Sequence, residues 1–338
     1  MLTWDDIRAI DAITDPLGVV SIYADRPEDT SGRLVRAVSL AGELRRLETD
    51  LAAADGEMAA VFRRRMHDIR PALARMLEGR MPGRALFAPL STGEVFEVAV
   101  GMPVGLAAVV EETAYVRPLV AAIDEGRPAG VIVDDGPSLR LLAWRMGVIE
   151  EVGTYRSSAL PRTRPARALA REVRTVARER GWTRVVVAGD GRLAHILARS
   201  ATPLGGEVSV FRRSVSGVGP RGLATALSGV LNEAQRRYEW RLVERAIVAG
   251  LSDQDAVLGP ARTRWALDQR LVKHLLIDAE HDHRWLQSLP PAPGRWPGRD
   301  PAEDLIERAL HSGADITPVE GPARRPLGAA DGVAAMLC

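Results

Sequence analysis

A cluster of carboxylate and imidazole side chains is the first feature of this chain that could do chemistry. Five potential metal ligands occupy six positions, at Asp278, Glu280, His281, Asp282 and His283. Imidazole together with carboxylate suits zinc or manganese. Because neighbouring side chains of an extended segment point to opposite sides, all five do not converge on one ion. We therefore expect a solvated loop, with Asp278, His281 and His283 as the metal-site candidates.

Arginine is concentrated between Arg156 and Arg180, where eight arginines face only two glutamates. Arg167, Arg171, Arg174 and Arg178 follow a spacing of four, three and four, which is typical of one helix face. The arginines before them are expected in a loop with prolines, residues 155–165. Guanidinium groups bind phosphates and stack on bases, so the segment predicts an RNA-binding site; the alternative is a solvated face in an arginine-rich chain. The predicted RNA-binding residues are Arg156, Arg162, Arg164, Arg167, Arg171 and Arg174.

Other common sites are incomplete in this sequence. Gly189-Asp190-Gly191 follows a predicted strand, but it lacks the third glycine of a dinucleotide fingerprint and the Gly-Lys-Ser/Thr of a phosphate loop. No Gly-x-Ser-x-Gly elbow for a nucleophilic serine occurs. Cys338 is the only cysteine, which excludes an intramolecular disulfide and a cysteine-based zinc site. We therefore expect no cofactor.

Length and composition indicate a soluble protein of two or three domains. The chain has 338 residues and a net charge of +1, which argues against indiscriminate binding to polyanions. Its basic residues are nearly all arginine, with Lys273 as the sole lysine. No run of about 18 apolar residues is present, and the first residues are acidic rather than basic. We expect a cytoplasmic protein without a membrane segment.

The first predicted domain, residues 1–126, alternates strands and helices. Val19–Ala24 reads as a buried strand, and two helices are predicted over Arg33–Ala54 and Glu57–Glu78. In the first helix, apolar residues near helical spacing predict the packed face: Leu34, Val38, Leu44, Leu47 and Leu51. Ala85–Pro89 and Glu94–Val100 are expected to form a hairpin.

The middle domain, residues 127–215, and the third, residues 216–338, continue this alternation. The predicted strands of the middle domain are Gly130–Asp134, Leu139–Arg145, Arg184–Ala188 and Glu207–Phe211, and the predicted helices are Ala166–Arg180 and Leu193–Ser200. The third domain is expected to contain a helix over Ala224–Ala249 that Gly250 breaks, another starting near Ser252, then a helix and strand over Trp265–Asp278. The prolines between Ser288 and Arg299 predict a loop. The fold class predicted is α/β, with mixed sheets covered by helices.

Several core segments resemble the bacterial archaeo-eukaryotic release factor family, which is related to the peptide-chain release factors and Pelota. They are VVSIYA at Val19–Ala24, YVRPLVAAIDEGRPAGVIVDDGPSLRLLAWRMGVIEE at Tyr115–Glu151, RVVVAGD at Arg184–Asp190 and the ending GVAAMLC. The family includes Balon-type hibernation factors and Vms1-like rescue factors. The resemblance covers nearly the whole chain and implies a three-domain release-factor or Pelota-like architecture. It also implies that the third domain has the fold of ribosomal proteins that bind kink-turn RNA, and that the partner is the ribosome, through ribosomal RNA and transfer RNA.

One departure from the family pattern concerns the middle domain. True release factors carry there a Gly-Gly-Gln loop that positions water on the peptidyl-tRNA ester. The corresponding place in this chain is the loop 155–165, which contains neither a glutamine nor a Gly-Gly pair. All the glutamines lie beyond the middle domain, and Gly205-Gly206 is followed by Glu207. The resemblance therefore implies a ribosome-associated factor that has lost peptidyl-tRNA hydrolysis.

Three functional hypotheses follow from the sequence. The first is a non-catalytic factor that occupies a ribosomal site during hibernation or stress. The second is a peptidyl-tRNA hydrolase, nuclease or rescue enzyme with a non-standard site, which would use the metal candidates near Asp278. The third is a protein-interaction module without ribosome contact, in which the arginines do not contribute to RNA binding.

Overall fold

The computed structural model describes residues 2–26, 30–134, 138–156, 165–189, 207–211, 215, 217–252, 254–279 and 301–338. The α-helices in these ranges are α1 Trp4–Asp11, α2 Thr30–Ala54, α3 Gly56–Asp68, α4 Arg70–Glu78, α5 Arg117–Glu125, α6 Pro165–Glu179, α7 Pro220–Leu251, α8 Pro260–Asp268, α9 Pro301–Ser312 and α10 Arg324–Gly328. The strands are β1 Thr14–Asp25, β2 Gly83–Pro89, β3 Phe96–Val100, β4 Ala107–Thr113, β5 Ala129–Asp134, β6 Ser138–Arg145, β7 Val148–Arg156, β8 Arg184–Ala188, β9 Glu207–Phe211, β10 Ala256–Leu258, β11 Val272–Asp278, β12 Asp315–Val319 and β13 Val333–Leu337.

These elements form three sheets and fall into two compact units. The first unit comprises residues 1–124, 246–319 and 324–338, and the second comprises residues 125–245 and 320–323. Strands and helices alternate and the sheets carry packed helices, so the predicted α/β class is confirmed. The boundaries at residues 126 and 215 stay predictions. No helix in the described parts of the chain combines the length and apolarity needed to cross a membrane.

The first sheet, in the first unit, has the order β3-β2-β1-β4 and is antiparallel throughout. Residues 18–24 of β1 are buried in succession, which explains their apolar run. Val20, Ile22 and Ala24 of β1 pack against helices α2, α3 and α4. Side chains alternate along a strand, so Ser21 and Tyr23 face the opposite side of the sheet.

The helices of this unit differ from the prediction in two ways. Leu34 and Val38 are 69% and 59% exposed, while Leu40 is 3% exposed and joins Leu44, Leu47 and Leu51 in the packed face. The helix predicted over Glu57–Glu78 is two helices that meet at Ile69, because Pro71 lies in the first turn of α4, where its missing N–H costs no hydrogen bond. Strand β4 adds an element that the pattern did not predict.

The first unit also contains a mixed sheet with the order β10-β13-β11-β12. Strands β11 and β12 are parallel, whereas β13 runs antiparallel to both β10 and β11. The prediction of a helix starting near Ser252 is wrong. Ser252 caps the end of α7 through hydrogen bonds to the carbonyls of Val248 and Ala249, and β10 follows. Helix α7 runs one residue past Gly250, where a Cβ would lie 2.5 Å from Cγ of Leu258. Gly250 thus permits close approach rather than breaking the helix.

The second unit is built on a mixed sheet with the order β7-β6-β5-β8-β9. Strands β5, β6 and β7 form antiparallel neighbours, and β5, β8 and β9 run parallel. Helix α6 covers one face, where Val173 and Ala177 pack with Ile132 and Val187. On the other face, Arg184 is 1% exposed and donates to Gln235 of α7.

Candidate nucleic-acid interface

The predicted arginine face lies on helix α6 of the second unit. Successive residues of an α-helix are rotated by about 100°, so positions 167, 171, 174 and 178 fall within an arc of roughly 60°. That arc is turned by roughly 110° from the direction of Val173 and Ala177, which pack on the sheet. The helix therefore separates an apolar stripe from an arginine stripe, as a surface helix requires.

The described arginines of this region differ in their exposure. Arg178 is exposed, whereas Arg174 is half-buried. Arg180, just beyond the helix, forms an ion pair of 3.3 Å with Glu150 of β7. Because guanidinium groups stay charged and present several donors, this surface has the chemistry to bind phosphate oxygens.

Strand β7 carries a further arginine of the predicted set. The strand continues to Arg156, which is exposed and pairs in register with Ser138 of β6. The prediction that Arg156 lies in the loop is therefore wrong, because pairing with β6 keeps the backbone extended. Its position at the end of an edge strand is fixed by main-chain bonds rather than by a loop conformation.

A hydrogen bond ties the end of β7 to α6. The hydroxyl of Tyr155 donates to Oε1 of Glu172 over 2.9 Å. Burial, followed by this bond and the charge of Glu172, raises the pKa of Tyr155 above its ordinary value. Because side chains alternate along a strand, Arg156, the next residue, points to the opposite face of the sheet from Tyr155 and α6. Nothing in the spacing of Tyr155 and Glu172 indicates this contact, because it joins two elements 17 residues apart.

The remaining predicted RNA-binding residues are described in part or not at all. Arg167 and Arg171 lie in α6, so their helical positions are known. Arg162 and Arg164 lie outside the described residues. The structure therefore places Arg174 and Arg178 on one face of α6, so Arg178 joins the predicted RNA-binding residues, whereas Arg156 lies on β7 rather than on this helix face.

The metal candidates predicted from the sequence lie at and after the end of β11. Asp278, at the end of β11, is 3% exposed, and its Oδ1 accepts a hydrogen bond of 2.7 Å from Nε of Arg324. His281 and His283 lie outside the described residues. Across the described parts of the chain, no three His, Cys, Asp or Glu residues form a group that could hold a metal ion. The Asp278 carboxylate is thus compensated by a guanidinium.

The glycine turn after β8 is described only at its first residue. Gly189 has a φ of +151°, and its amide donates to the carbonyl of Phe211 over 3.2 Å. A Cβ at this position would lie 2.8 Å from Cβ of Asp134. Both observations explain why a glycine follows this strand, and neither requires a bound ligand.

The chain is thus an α/β protein with an arginine-bearing helix face on its five-stranded sheet. No protein-family model matches it, and no curated protein does. Solved structures do match, among them Dom34 of Saccharomyces cerevisiae, a translation termination-like factor involved in RNA quality control. That comparison has 11% identity and a TM-score of 0.44, and covers 72% of each chain.

Two archaeal structures match over more of the chain. Pelota of Archaeoglobus fulgidus has 15% identity and a TM-score of 0.38, covering 99% of this chain and 92% of its own. Archaeal Pelota from a model of the ribosome-bound protein with ABCE1 has 14% identity and a TM-score of 0.45, covering 99% of this chain and 94% of its own. With TM-scores below 0.5, these likenesses do not establish a shared global fold.

Proposed function

We propose that this chain is a ribosome-associated translation factor that binds ribosomal or transfer RNA without hydrolysing peptidyl-tRNA, and that it acts in hibernation or stress. The observation that carries the proposal is the arginine spacing of α6, which puts Arg174 and the exposed Arg178 on one helix face, away from the apolar stripe of Val173 and Ala177. Because the core segments resemble the release-factor and Pelota family, we infer that this basic surface binds ribosomal RNA.

The form of the surface favours RNA phosphates over a general anion. Arginine offers planar forks of donors that pair with phosphate and stack on unpaired bases. A rigid helix presents such groups at intervals of three and four residues, so several phosphates can be engaged at once. The near-zero net charge of the chain confines this attraction to local surfaces.

The glutamines support a role without hydrolysis. The middle segment, residues 127–215, contains none. Gln235, which follows it, is 1% exposed and accepts a hydrogen bond from Arg184 inside the second unit. Gln235 therefore has a structural role in the second unit. The chain also lacks the Gly-Gly-Gln loop through which the release factors of the family it resembles act.

Sedimentation through a sucrose gradient tests ribosome association. Extracts from growing, starved and cold-shocked cells would be compared, and we expect co-sedimentation with ribosomal particles in at least one stressed state. The test variant replaces Arg171, Arg174 and Arg178 by alanine. A control variant replaces Arg33, Arg36 and Arg45 of α2, which removes the same charge from another helix. We expect only the α6 variant to leave the ribosomal fractions.

Binding to purified ribosomes across a range of salt concentrations sharpens the test. Each lost phosphate contact lowers the slope of log affinity against log salt by about 0.7 to 0.9. The α6 variant should therefore lose roughly two to three units of slope if it removes three contacts, whereas the α2 control should keep the slope. A protein that stays at the top of the gradient in all states, or equal slopes for both variants, would contradict the proposal.

The enzymatic alternative has its own test. The chain would be incubated with peptidyl-tRNA and with RNA, with and without a chelator, and we expect no turnover. Turnover that survives the chelator would replace the non-catalytic part of the proposal with a hydrolase. Turnover lost on chelation and on the change Asp278→Asn would point instead to the metal candidates Asp278, His281 and His283.

A further inference from the structure

A groove runs along the free edge of the first sheet, in the first unit. Strand β3 is the edge strand of this sheet, and among the described residues it pairs with β2 alone. A cavity of about 680 Å³ lies between this strand and helix α1. One wall consists of residues 95–99, and the other includes Asp6, Ala9, Ile10 and Ile13.

The lining shows that the groove follows the edge of the strand rather than one of its faces. Five consecutive residues border it, although successive side chains of a strand point to opposite faces. This unbroken run favours a cavity beside the exposed backbone of the strand. An edge strand presents unpaired N–H and C=O groups there, which form a template for another strand.

The chemistry of the walls indicates what would lie in the groove. The lining is apolar except for two acids, Asp6 and Glu97. Hydrogen bonds from the side chain and backbone of Thr3 lower the pKa of Asp6, which keeps its carboxylate charged at neutral pH. Glu97 is paired with Arg75 of α4, so Asp6 is the stronger attraction for a cation.

We propose that this groove binds an extended peptide of alternating apolar and basic residues, which adds as a strand to β3. Main-chain hydrogen bonds to β3 would provide affinity. The apolar side chains of the peptide would pack on Ala9, Ile10 and Ile13, and a basic side chain would face Asp6. This site is separate from the arginine surface of α6 and does not depend on ribosome binding.

A seven-residue peptide of alternating valine and arginine, blocked at both ends and fluorescently labelled, is the probe. Its binding would be measured by anisotropy with the full-length chain, and we expect a dissociation constant below about 1 mM. Two versions of the peptide carry N-methyl groups on alternate amides. Each version therefore lacks the N–H donors along one edge of the extended peptide. One version should bind about tenfold more weakly, and the other should bind like the parent.

Variants of α1 separate the groove from the rest of the helix. Ala9→Arg places a positive charge in the groove and should weaken binding at least about tenfold. Ala12→Arg adds the same group at an exposed position outside the lining, and should bind like the unaltered chain. Hydrogen exchange should show that the peptide protects residues 95–100 in the unaltered chain and in Ala12→Arg. Circular dichroism would confirm that both variants fold.

Several results would overturn this proposal. Undetectable binding at about 1 mM peptide would do so, as would equal losses for the two N-methylated versions, because a strand uses one edge only. A peptide with glutamate in place of arginine that bound equally well would exclude the role of Asp6. If analytical ultracentrifugation shows a dimer that Ala9→Arg dissociates, the occupant is a second copy of the chain and the proposed peptide is wrong.

Discussion

Tyr155 and Glu172 are joined by a hydrogen bond of 2.9 Å between the phenol hydroxyl and Oε1 of the carboxylate. Tyr155 is the residue before the end of β7, and Glu172 lies in the middle of α6. Tyr155 also packs against the apolar cluster that contains Val173 and Trp182. A single side chain therefore connects the edge strand to the core and to the arginine helix.

Replacing this tyrosine tests how firmly the two elements are held. Tyr155→Phe keeps the ring and removes the donor, so we expect a loss of about 0.5 to 1.5 kcal/mol in the local stability of α6. Hydrogen exchange at residues 173–178 measures it. Thr154→Ala is the control, since the Thr154 hydroxyl bonds to exposed Glu151 of the same strand and should leave α6 unchanged. Equal exchange in Tyr155→Phe and the unaltered chain would show that packing alone positions the helix.

A buried tyrosine predicts a loss of stability at high pH. The Tyr23 hydroxyl donates to the carbonyl of Tyr115, and burial, followed by the charges of Glu303 and Tyr115, raises the pKa of Tyr23 well above its ordinary value. The folded state thus holds this proton at a pH where the unfolded chain releases it. The contribution is fully present below about pH 10 and is lost as pH rises through the folded pKa.

Urea unfolding between about pH 8 and pH 11 measures this effect, because it spans the ordinary tyrosine pKa. We expect the free energy of unfolding to fall with pH in the unaltered chain, and the fall to be shallower in Tyr23→Phe. Tyr155→Phe is a useful comparison, since Tyr155 is less buried and its pKa is raised by less. Identical pH slopes for the unaltered chain and Tyr23→Phe would refute the assignment.

Arg236 holds three carboxylates of the second unit together. It contacts both oxygens of Glu239 at 2.8 and 2.9 Å, reaches Glu320 at 2.7 Å, and bonds to Glu125. The Glu239 side chain is 0% exposed. Arg236→Met would leave that buried carboxylate without the guanidinium that contacts both of its oxygens, and should cost about 3 to 5 kcal/mol of unfolding free energy.

A double replacement separates the charge effect from packing. Arg236→Met combined with Glu239→Gln removes the buried carboxylate charge together with the guanidinium, so we expect it to be less destabilising than Arg236→Met alone. Arg237→Met is the matched control: Arg237 pairs with Glu233 on the same helix, at 46% and 67% exposure, and should cost less than about 1 kcal/mol. Denaturant unfolding followed by circular dichroism measures all three. A double variant as unstable as the single one would show that Arg236 acts mainly through packing.

Two glycines should respond in opposite directions to alanine. A Cβ at Gly130 would lie 2.3 Å from Cε3 of Trp182, which is 6% exposed and has little room to move. Gly130→Ala should therefore destabilise the chain by about 1 to 3 kcal/mol. Gly229 lies inside α7 with nothing within 4 Å of its Cβ position, so Gly229→Ala should stabilise by about 0.5 to 1 kcal/mol. Thermal unfolding of the two variants gives the signs, and the same sign for both would contradict the structure.

Local pattern in the sequence determined most of the strands and helices. The segments Arg184–Ala188 and Glu207–Phe211 are strands over the predicted residues, and the arginine spacing of four, three and four does lie on a helix. These predictions succeed because hydrophobic periodicity, turn residues and propensity act over a few neighbouring residues. The same locality explains why the α/β class follows from the order of elements alone.

Only the tertiary structure decided which residues meet. Strand β7 extends to Arg156 because β6 lies beside it, and Asp278 is compensated by Arg324, 46 residues away in sequence. Leu40, rather than Leu34 or Val38, packs in the first unit because the sheet selects one face of α2. Sheet order, ion pairs and the groove beside β3 arise from contacts between distant segments, and no local periodicity records those contacts.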